Sequence, residues 1–337
     1  MKAIVQHEYG PPDVLKIDEI DRPVVKDNEV LVRIHAASVH AGDWHIVRGE
    51  PYLIRLMGFG LRKPKFSVPG NDMAGLVETV GKDVTRFQPG DEVFGTCNGA
   101  FAEYVSASED DLALKPANLT FEQAATVPIS GFTALQALRD HGKTQPGQKV
   151  LIIGASGGVG TFAVQIAKSF GAEVTGVCST RNLEMVLSIG ADHVIDYTQE
   201  DFVQGGPRFD LIIDTVANRS LADRRRALMP NGTLVLVGGS GGRWLAGLER
   251  TLGAALLSLF VSQKFLVFFS TGNKEDLATL KDLLEAEKVT PVIDREYPLA
   301  ETPDAIRYIE TGHTQGKIVI NVRRSDRRRG DVQPQPD

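Results

Sequence analysis

Apolar positions change their spacing once along the chain, and that change divides it. Up to about residue 124 they gather in short runs separated by Gly and Pro. Strands are predicted at Val30–Ala36, Ala74–Gly81, after the Pro89-Gly90 turn as far as Phe94, and at Ala100–Val105. Short strands with frequent turns predict a β-rich, barrel-like or sandwich unit. From Thr120 the period becomes helical. Thr120 and Gln123 are placed for a capping box, and helical spacing runs through Ala124 and again from Phe132 to Leu138. Strands and helices then alternate: strand Val150–Ile153, helix Thr161–Phe170, strand Glu173–Cys178, helix Asn182–Ile189, strand His193–Tyr197, strand Phe209–Val216, helix Ser220–Met229, strand Gly232–Gly239 and strand Lys264–Thr271. Six such strands predict an α/β, doubly wound parallel sheet. The remaining elements are a helix at Lys274–Ala286, a strand at Thr290–Ile293, a helix at Thr302–Glu310 and a strand at Gly316–Val322. They are expected to return to the first unit, because the sheet is already complete.

The chemistry starts at the first strand-to-helix turn, Gly154–Gly160. Gly157 lets backbone approach a pyrophosphate that a Cβ would strike, and Gly160 lets the helix lie close to the strand. The helix N-terminus, near Gly158, directs free N–H groups and partial positive charge at phosphate. The match is A-x-G-x-x-G, with Ala155 at the usual first glycine, and its position between two strands gives it weight. At the end of the second strand stand Ser179-Thr180-Arg181-Asn182, where NAD sites usually place Asp or Glu. Hydroxyls and a guanidinium suit a 2′-phosphate, so NADP(H) is expected over NAD(H). Ligands of such sheets lie off the C-terminal strand ends, which also selects Tyr197, Val216-Ala217, Gly238–Ser240 and Phe269–Thr271.

Composition narrows the classes. A length of 337 residues accommodates two cores, and a net charge of −6 gives no footing for nucleic acid. Cys97 and Cys178 are too few and too distant for a disulfide framework or a cysteine-based zinc site. The apolar stretch Leu252–Phe269 is interrupted by Ser258, Ser262, Gln263 and Lys264, and is read as a buried helix and strand, not a membrane span. The charged, Pro-containing segment Arg323–Asp337 is expected to be disordered. The start, with no signal-peptide apolar region, sets the expectation of a cytoplasmic protein.

These features are carried by motifs at Ala37–Asp43, Pro69–Gly75, Pro89–Val93, Gly99–Tyr104, Gly131–Ala134, Gly157–Gly160 and Gly190–Asp192. Over roughly residues 1 to 322 the chain resembles the medium-chain dehydrogenase/reductase superfamily, specifically its zinc-independent quinone oxidoreductase and enoyl reductase branch. The resemblance implies a GroES-like catalytic domain from residues 1–124 and 273–322, a Rossmann domain at 125–272, and a tail at 323–337. Zinc-dependent members bind the catalytic metal through Cys, His, sometimes Glu, and a second Cys or Asp. Here those positions fall on His40, Asn71-Asp72 and near Thr126. His40 with Asp72 falls short of a catalytic zinc set, so no metal is expected.

Carried onto this chain, the family's cofactor residues place Thr133 near the nicotinamide or its ribose phosphate. Gly157, Gly158 and Val159 would take the pyrophosphate, and Ser179, Arg181, Asn182 and Tyr197 the 2′-phosphate. Val237, Gly238, Ser240 and Phe269 would frame the nicotinamide, with Gly316 and Lys317 closing over the cofactor. His40, which stands where the family often has Asn, is a candidate hydrogen-bond and proton donor; Asp43 and Tyr52 are the other catalytic candidates. Gly49–Phe66 either lines or covers the substrate site or packs as a helix on the barrel. The implied activity is zinc-independent, NADPH-dependent reduction of a conjugated carbonyl, a quinone, 2-alkenal or enone, by a homodimer. Reduction of saturated carbonyls and a cofactor-binding scaffold with little turnover remain open.

Overall fold

The computed structural model describes residues 1–203, 206, 208–217, 219–237 and 261–323, apart from the side chain of Met57. Gly238, Ser240, residues 252–260 of Leu252–Phe269 and the tail beyond Arg323 lie outside the described residues.

The β-rich unit is built around β3 (Glu29–Val39), which follows a two-stranded ribbon of β1 (Lys2–Val5) and β2 (Lys16–Glu19). Along one edge β3 pairs antiparallel with β4 (Asp72–Val80), which continues to β5 (Glu92–Thr96) and β7 (Leu112–Leu114). Its other edge is divided. Residues Glu29–Arg33 pair with β6 (Tyr104–Ser108), and Ala36–Val39 pair with β15 (Lys317–Asn321). Partners on both edges leave β3 buried along nearly its whole length, and its pattern is accordingly apolar rather than alternating.

The second sheet is wholly parallel. It comprises β8 (Lys149–Ile153), β9 (Glu173–Cys178), β10 (His193–Asp196), β11 (Phe209–Asp214), β12 (Leu228–Val237) and β13 (Lys264–Phe268), in the order β10-β9-β8-β11-β12-β13. The order reverses between β8 and β11, so their C-terminal ends open the crevice that ligands of such sheets occupy. Helix α4 (Gly158–Ser169) follows β8 and buries Phe162, Ala163, Ile166 and Ala167 in the core.

Between the sheets run α2 (Phe121–Ala125) and α3 (Pro128–Gln136). The Thr120–Gln123 capping box forms in both directions, as predicted. After the sheet, β14 (Ile293–Pro298) pairs with β15, and α8 (Thr302–Glu310) buries Ala305 and Ile306 in the β-rich core. Helix α7 (Lys274–Glu285) packs its Leu277, Leu280 and Leu284 in a cluster that joins Phe132 and the parallel sheet to Phe94 and Ala113 of the β-rich unit.

Two strands sit further along the chain than predicted. The run at Ala100–Val105 forms a strand only from Tyr104, because Phe101 gives its N–H to Pro69 and takes the N–H of Ile4 in an irregular crossing. The strand placed at Thr290–Ile293 begins at Ile293 and runs on to Pro298. Helix α1 (Ala41–Arg48) was not foreseen; its mixed sequence carries little apolar period, and its start is fixed by capping instead.

Candidate active site

Three features meet where the two sheets approach each other. The first is the Gly-rich turn. Gly154 has φ of +82°, and a Cβ there would lie 2.4 Å from Thr215 Oγ1. A Cβ on Gly160 would lie 2.0 Å from the Gly154 carbonyl oxygen, so this glycine permits the helix-to-strand contact the sequence implied. Gly157 is different. Its φ of −82° suits any residue, and the nearest atom to a Cβ would be 3.4 Å away. Nothing in the protein demands glycine there; the freed space faces outward. No side chain caps α4, so its first N–H groups are left for an external acceptor. The turn therefore fits a pyrophosphate.

The second feature is the end of β9. Asn182 is buried and donates from Nδ2 to Ser156 Oγ (2.9 Å) and Ser179 Oγ (3.3 Å), so it ties the strand end to the Gly-rich turn. Its side-chain amide is thus engaged within the protein, while half-buried Ser179, exposed Arg181 and exposed Tyr197 stand at the same strand ends. Arg181 donates from Nη2 to the His313 carbonyl, on the turn before β15. Sequence reasoning missed Asp196 at the end of β10. Its carboxylate accepts from Thr180 Oγ1 (2.5 Å) and from Thr198 Oγ1 (2.7 Å) and N (2.9 Å). The Thr180 hydroxyl, first among these donors, holds its pKa below the ordinary carboxylate value. A strand-end carboxylate is thus present, one strand over from where NAD sites keep theirs, and it accepts three hydrogen bonds from Thr180 and Thr198. The only signal in sequence was its position at a strand terminus.

The third feature is contributed by the β-rich unit. Gly316, with φ of +85°, donates its N–H to the Ser156 carbonyl (2.8 Å) and forms a parallel bridge with Gly157. The return strand thereby seats on the phosphate turn. Lys317 is 2% exposed, its Cδ would lie 3.1 Å from a Cβ on Gly158, and its Nζ meets Asp72 Oδ2 at 3.3 Å. Asp72 also accepts from Ser38 Oγ (3.1 Å) and Ile129 N (3.0 Å). Three elements, β3, α3 and β15, converge on this one buried carboxylate.

Beside it stands His40, the N-cap of α1. Its Nδ1 accepts from Gly42 N (2.9 Å), while Asp43 Oδ2 accepts from His40 N (2.8 Å). Accepting at Nδ1 places the neutral ring's proton on Nε2. That buried Nε2 lies 3.6 Å from Asp43 Oδ1, and neither atom has a hydrogen-bond partner. Burial first, against the pull of the His40 ring, raises the Asp43 pKa. Asp43 is therefore a capping carboxylate at least as much as a chemical one. The Tyr52 ring lies under the Arg55 guanidinium at 4.8 Å, which also lies 4.4 Å from the Tyr9 ring. On the far side, Thr133 Oγ1 meets Ser270 Oγ at 2.7 Å just beyond β13; Val237 is buried, and Val216 and Phe269 are exposed. The hollow lined by Arg139, Asp140, Lys143, Gln145 and Phe170 lies at the opposite, N-terminal ends of β8 and β9 and takes no part.

Residues 26–117 match the family model described as alcohol dehydrogenase GroES-like domain, and residues 189–320 the one described as zinc-binding dehydrogenase. The 2-methylene-furan-3-one reductase of Solanum lycopersicum is 35% identical, over 95% of this chain and 79% of the relative. The chloroplastic NADPH-dependent alkenal/one oxidoreductase of Arabidopsis thaliana is 32% identical over the same shares, 95% and 79%. The solved quinone oxidoreductase from Coxiella burnetii is 32% identical and superposes with a TM-score of 0.85, over 96% of this chain and 99% of that one. The chain belongs to the medium-chain dehydrogenase/reductase superfamily, in its quinone-oxidoreductase-like branch.

Its β-rich unit is GroES-like and its parallel sheet is the superfamily's Rossmann fold. The name of the second family model does not extend to metal chemistry here. Residues 189–320 contain no cysteine, and among the described residues no group of three or more His, Cys, Asp or Glu could hold a metal ion. At the superfamily's zinc-ligand positions, Asp72 is committed to Lys317, Ser38 and Ile129, Asn71 Nδ2 donates to the Cys97 carbonyl, and Thr126 Oγ1 donates to the Gln123 carbonyl. A catalytic zinc does not fit this set.

Proposed function

We propose that the protein is an NADPH-dependent reductase of conjugated carbonyls: quinones, 2-alkenals or enones. The observation that carries the reading is the unfilled space at Gly157 beside the uncapped α4, with Arg181 at the end of β9. The relatives' names, a 2-methylene-furan-3-one reductase, an NADPH-dependent alkenal/one oxidoreductase and a quinone oxidoreductase, support it. When bound, the cofactor supplies a hydride to the electrophilic carbon of the substrate. The backbone of Gly157 and Gly158 holds the pyrophosphate, Arg181 with Ser179 and Tyr197 recognises the 2′-phosphate, and Thr133 orients the nicotinamide end. The His40 Nε2–H donates a hydrogen bond to the oxygen on which charge develops. Conjugation delocalises that charge, which is what a site without a Lewis acid requires. Protonation of the enolate or phenolate, from His40 or water, completes the reduction.

Purified protein is mixed with NADPH or NADH and a small quinone, a 2-alkenal or a saturated aldehyde, and nucleotide absorbance is followed. Fast loss with NADPH and a conjugated acceptor is expected. Preference for the saturated aldehyde overturns the substrate class, and tight NADPH binding without turnover moves the protein to a scaffold.

The free, buried Cys97 and Cys178 support a reducing, cytoplasmic location. β13 at the edge of the parallel sheet, with Phe269 62% exposed beside it, supports a homodimer joined there, to be measured by analytical ultracentrifugation. Among the described residues no helix is long and apolar enough to cross a membrane.

A further inference from the structure

The chain leaves the site at the end of α1 and returns to it at Asp72, and between them it builds a knuckle on the surface. The knuckle is held from within. Tyr9 Oη donates to the carbonyls of Phe59 (2.8 Å) and Gly60 (2.7 Å), Lys65 N donates to Phe59 O (2.7 Å), and Arg55 Nε donates to Gly49 O (2.8 Å). Gly60 has φ of +107°, and a Cβ there would lie 2.2 Å from the Lys63 carbonyl oxygen, so the turn admits only glycine. Held this way, the backbone turns three large apolar side chains outward: Leu56 is 71% exposed, Leu61 64% and Phe66 42%. Isolated exposed apolar residues are ordinary; three on one braced turn are not.

Between them stand Arg62, Lys63 and Lys65, all exposed and none with a carboxylate partner among the described residues. From Pro51 to Asn71 the sequence has no acidic residue, in a chain whose net charge is −6. A local excess of cations among outward apolar side chains, on a protein of opposite overall sign, is complementary to one kind of surface: anionic lipid headgroups over acyl chains. Leu56, Leu61 and Phe66 are exposed, whereas Leu53, Ile54 and Phe59 of the same stretch are partly buried.

We propose that this knuckle docks the protein on an anionic lipid surface, with Leu56, Leu61 and Phe66 entering the headgroup layer and Arg62, Lys63 and Lys65 on the phosphates. The cargo, apolar conjugated carbonyls taken from the membrane, rests on the reductase reading above; the docking itself does not.

The test is co-sedimentation of the full chain with vesicles of phosphatidylcholine alone or mixed with phosphatidylserine, alongside thermal unfolding of each variant. Binding to the mixed vesicles is expected to fall about tenfold or more in Leu56→Ser/Leu61→Ser, and likewise in Arg62→Glu/Lys63→Glu/Lys65→Glu. Unfolding temperatures should stay unchanged, and binding should weaken as salt rises. No co-sedimentation overturns the proposal whatever the enzyme reduces. So does binding that survives Leu56→Ser/Leu61→Ser, which marks simple ionic adsorption. A lower association state in that variant by ultracentrifugation assigns the face to a second copy of the chain. Loss of turnover with a small water-soluble quinone makes the knuckle part of the substrate site; either result overturns docking.

Discussion

Arg181 is exposed and donates to one backbone carbonyl, so its guanidinium is available to a phosphate at little cost. The Asp196 carboxylate at the end of β10 adds negative charge and already accepts three hydrogen bonds. On the proposed reading, discrimination between the dinucleotides is expected to fall on Arg181. Arg181→Ala is expected to raise the KM for NADPH by about tenfold and to leave NADH nearly unaffected, a loss consistent with one charge-assisted contact. Steady-state kinetics with both nucleotides check it. His40 caps α1 through Nδ1, and on the proposed reading its Nε2–H is the donor to the substrate oxygen. Asn can perform both tasks without titrating, whereas Ala performs neither. His40→Asn should retain kcat within a few-fold and His40→Ala should lose about 100-fold, the usual cost of one donor to a developing oxyanion. If the Asn variant is as slow as the Ala variant, His40 acts as an acid and not only as a hydrogen-bond donor.

The short return segment before β15 joins the two halves of the site. Gly316 bonds to the phosphate turn, Lys317 meets the carboxylate of β4, and β15 lies on β3. Gly316→Ala forces a Cβ to within 2.3 Å of the Val292 carbonyl oxygen at a φ of +85°. Gly147→Ala provides the control, because Gly147 shares the positive φ, +78°, but has nothing within 4 Å of a Cβ. The control should cost about 1 kcal/mol from backbone strain alone. Gly316→Ala should cost about 2–3 kcal/mol and also weaken NADPH binding, since its strain displaces the turn that seats on Ser156 and Gly157. Denaturant unfolding and nucleotide titration of both variants measure the difference. Equal effects would show that the return segment does not shape the phosphate site.

Acid stability belongs to the packed protein. Burial first, then the Arg33 charge, lowers the pKa of His35 from its ordinary 6.5, and burial likewise lowers His45. Both are neutral when folded at a pH where the unfolded chain binds protons. Stability is therefore present above about 6.5 and lost as pH falls below it toward the depressed folded values. The unfolding midpoint should drop through that window, and His35→Phe, which keeps the stack on Phe121 at 4.3 Å, should flatten part of the drop. A midpoint independent of pH between 7 and 5 would contradict this, the window being roughly one pKa unit either side of an unperturbed imidazole. The parallel sheet, the Gly-rich turn and the capping box at Thr120 were legible from sequence, because each depends on residues close along the chain: an apolar run, a glycine where a Cβ would collide, a hydroxyl three places before a glutamine. The convergence of Ser38, Asp72, Ile129 and Lys317 was not, since its members come from distant segments and a buried carboxylate looks like any other until its partners arrive. The same holds for Asp196, whose strand-end position is local but whose threonine partners are set by the pairing of β9 with β10. For α7, amphipathic spacing in the sequence required a partner surface, and only the packing of Leu280 against Gly131 of α3 named it. Local stereochemistry and periodicity are encoded residue by residue; charge pairing and the choice of neighbour arise only when long loops close.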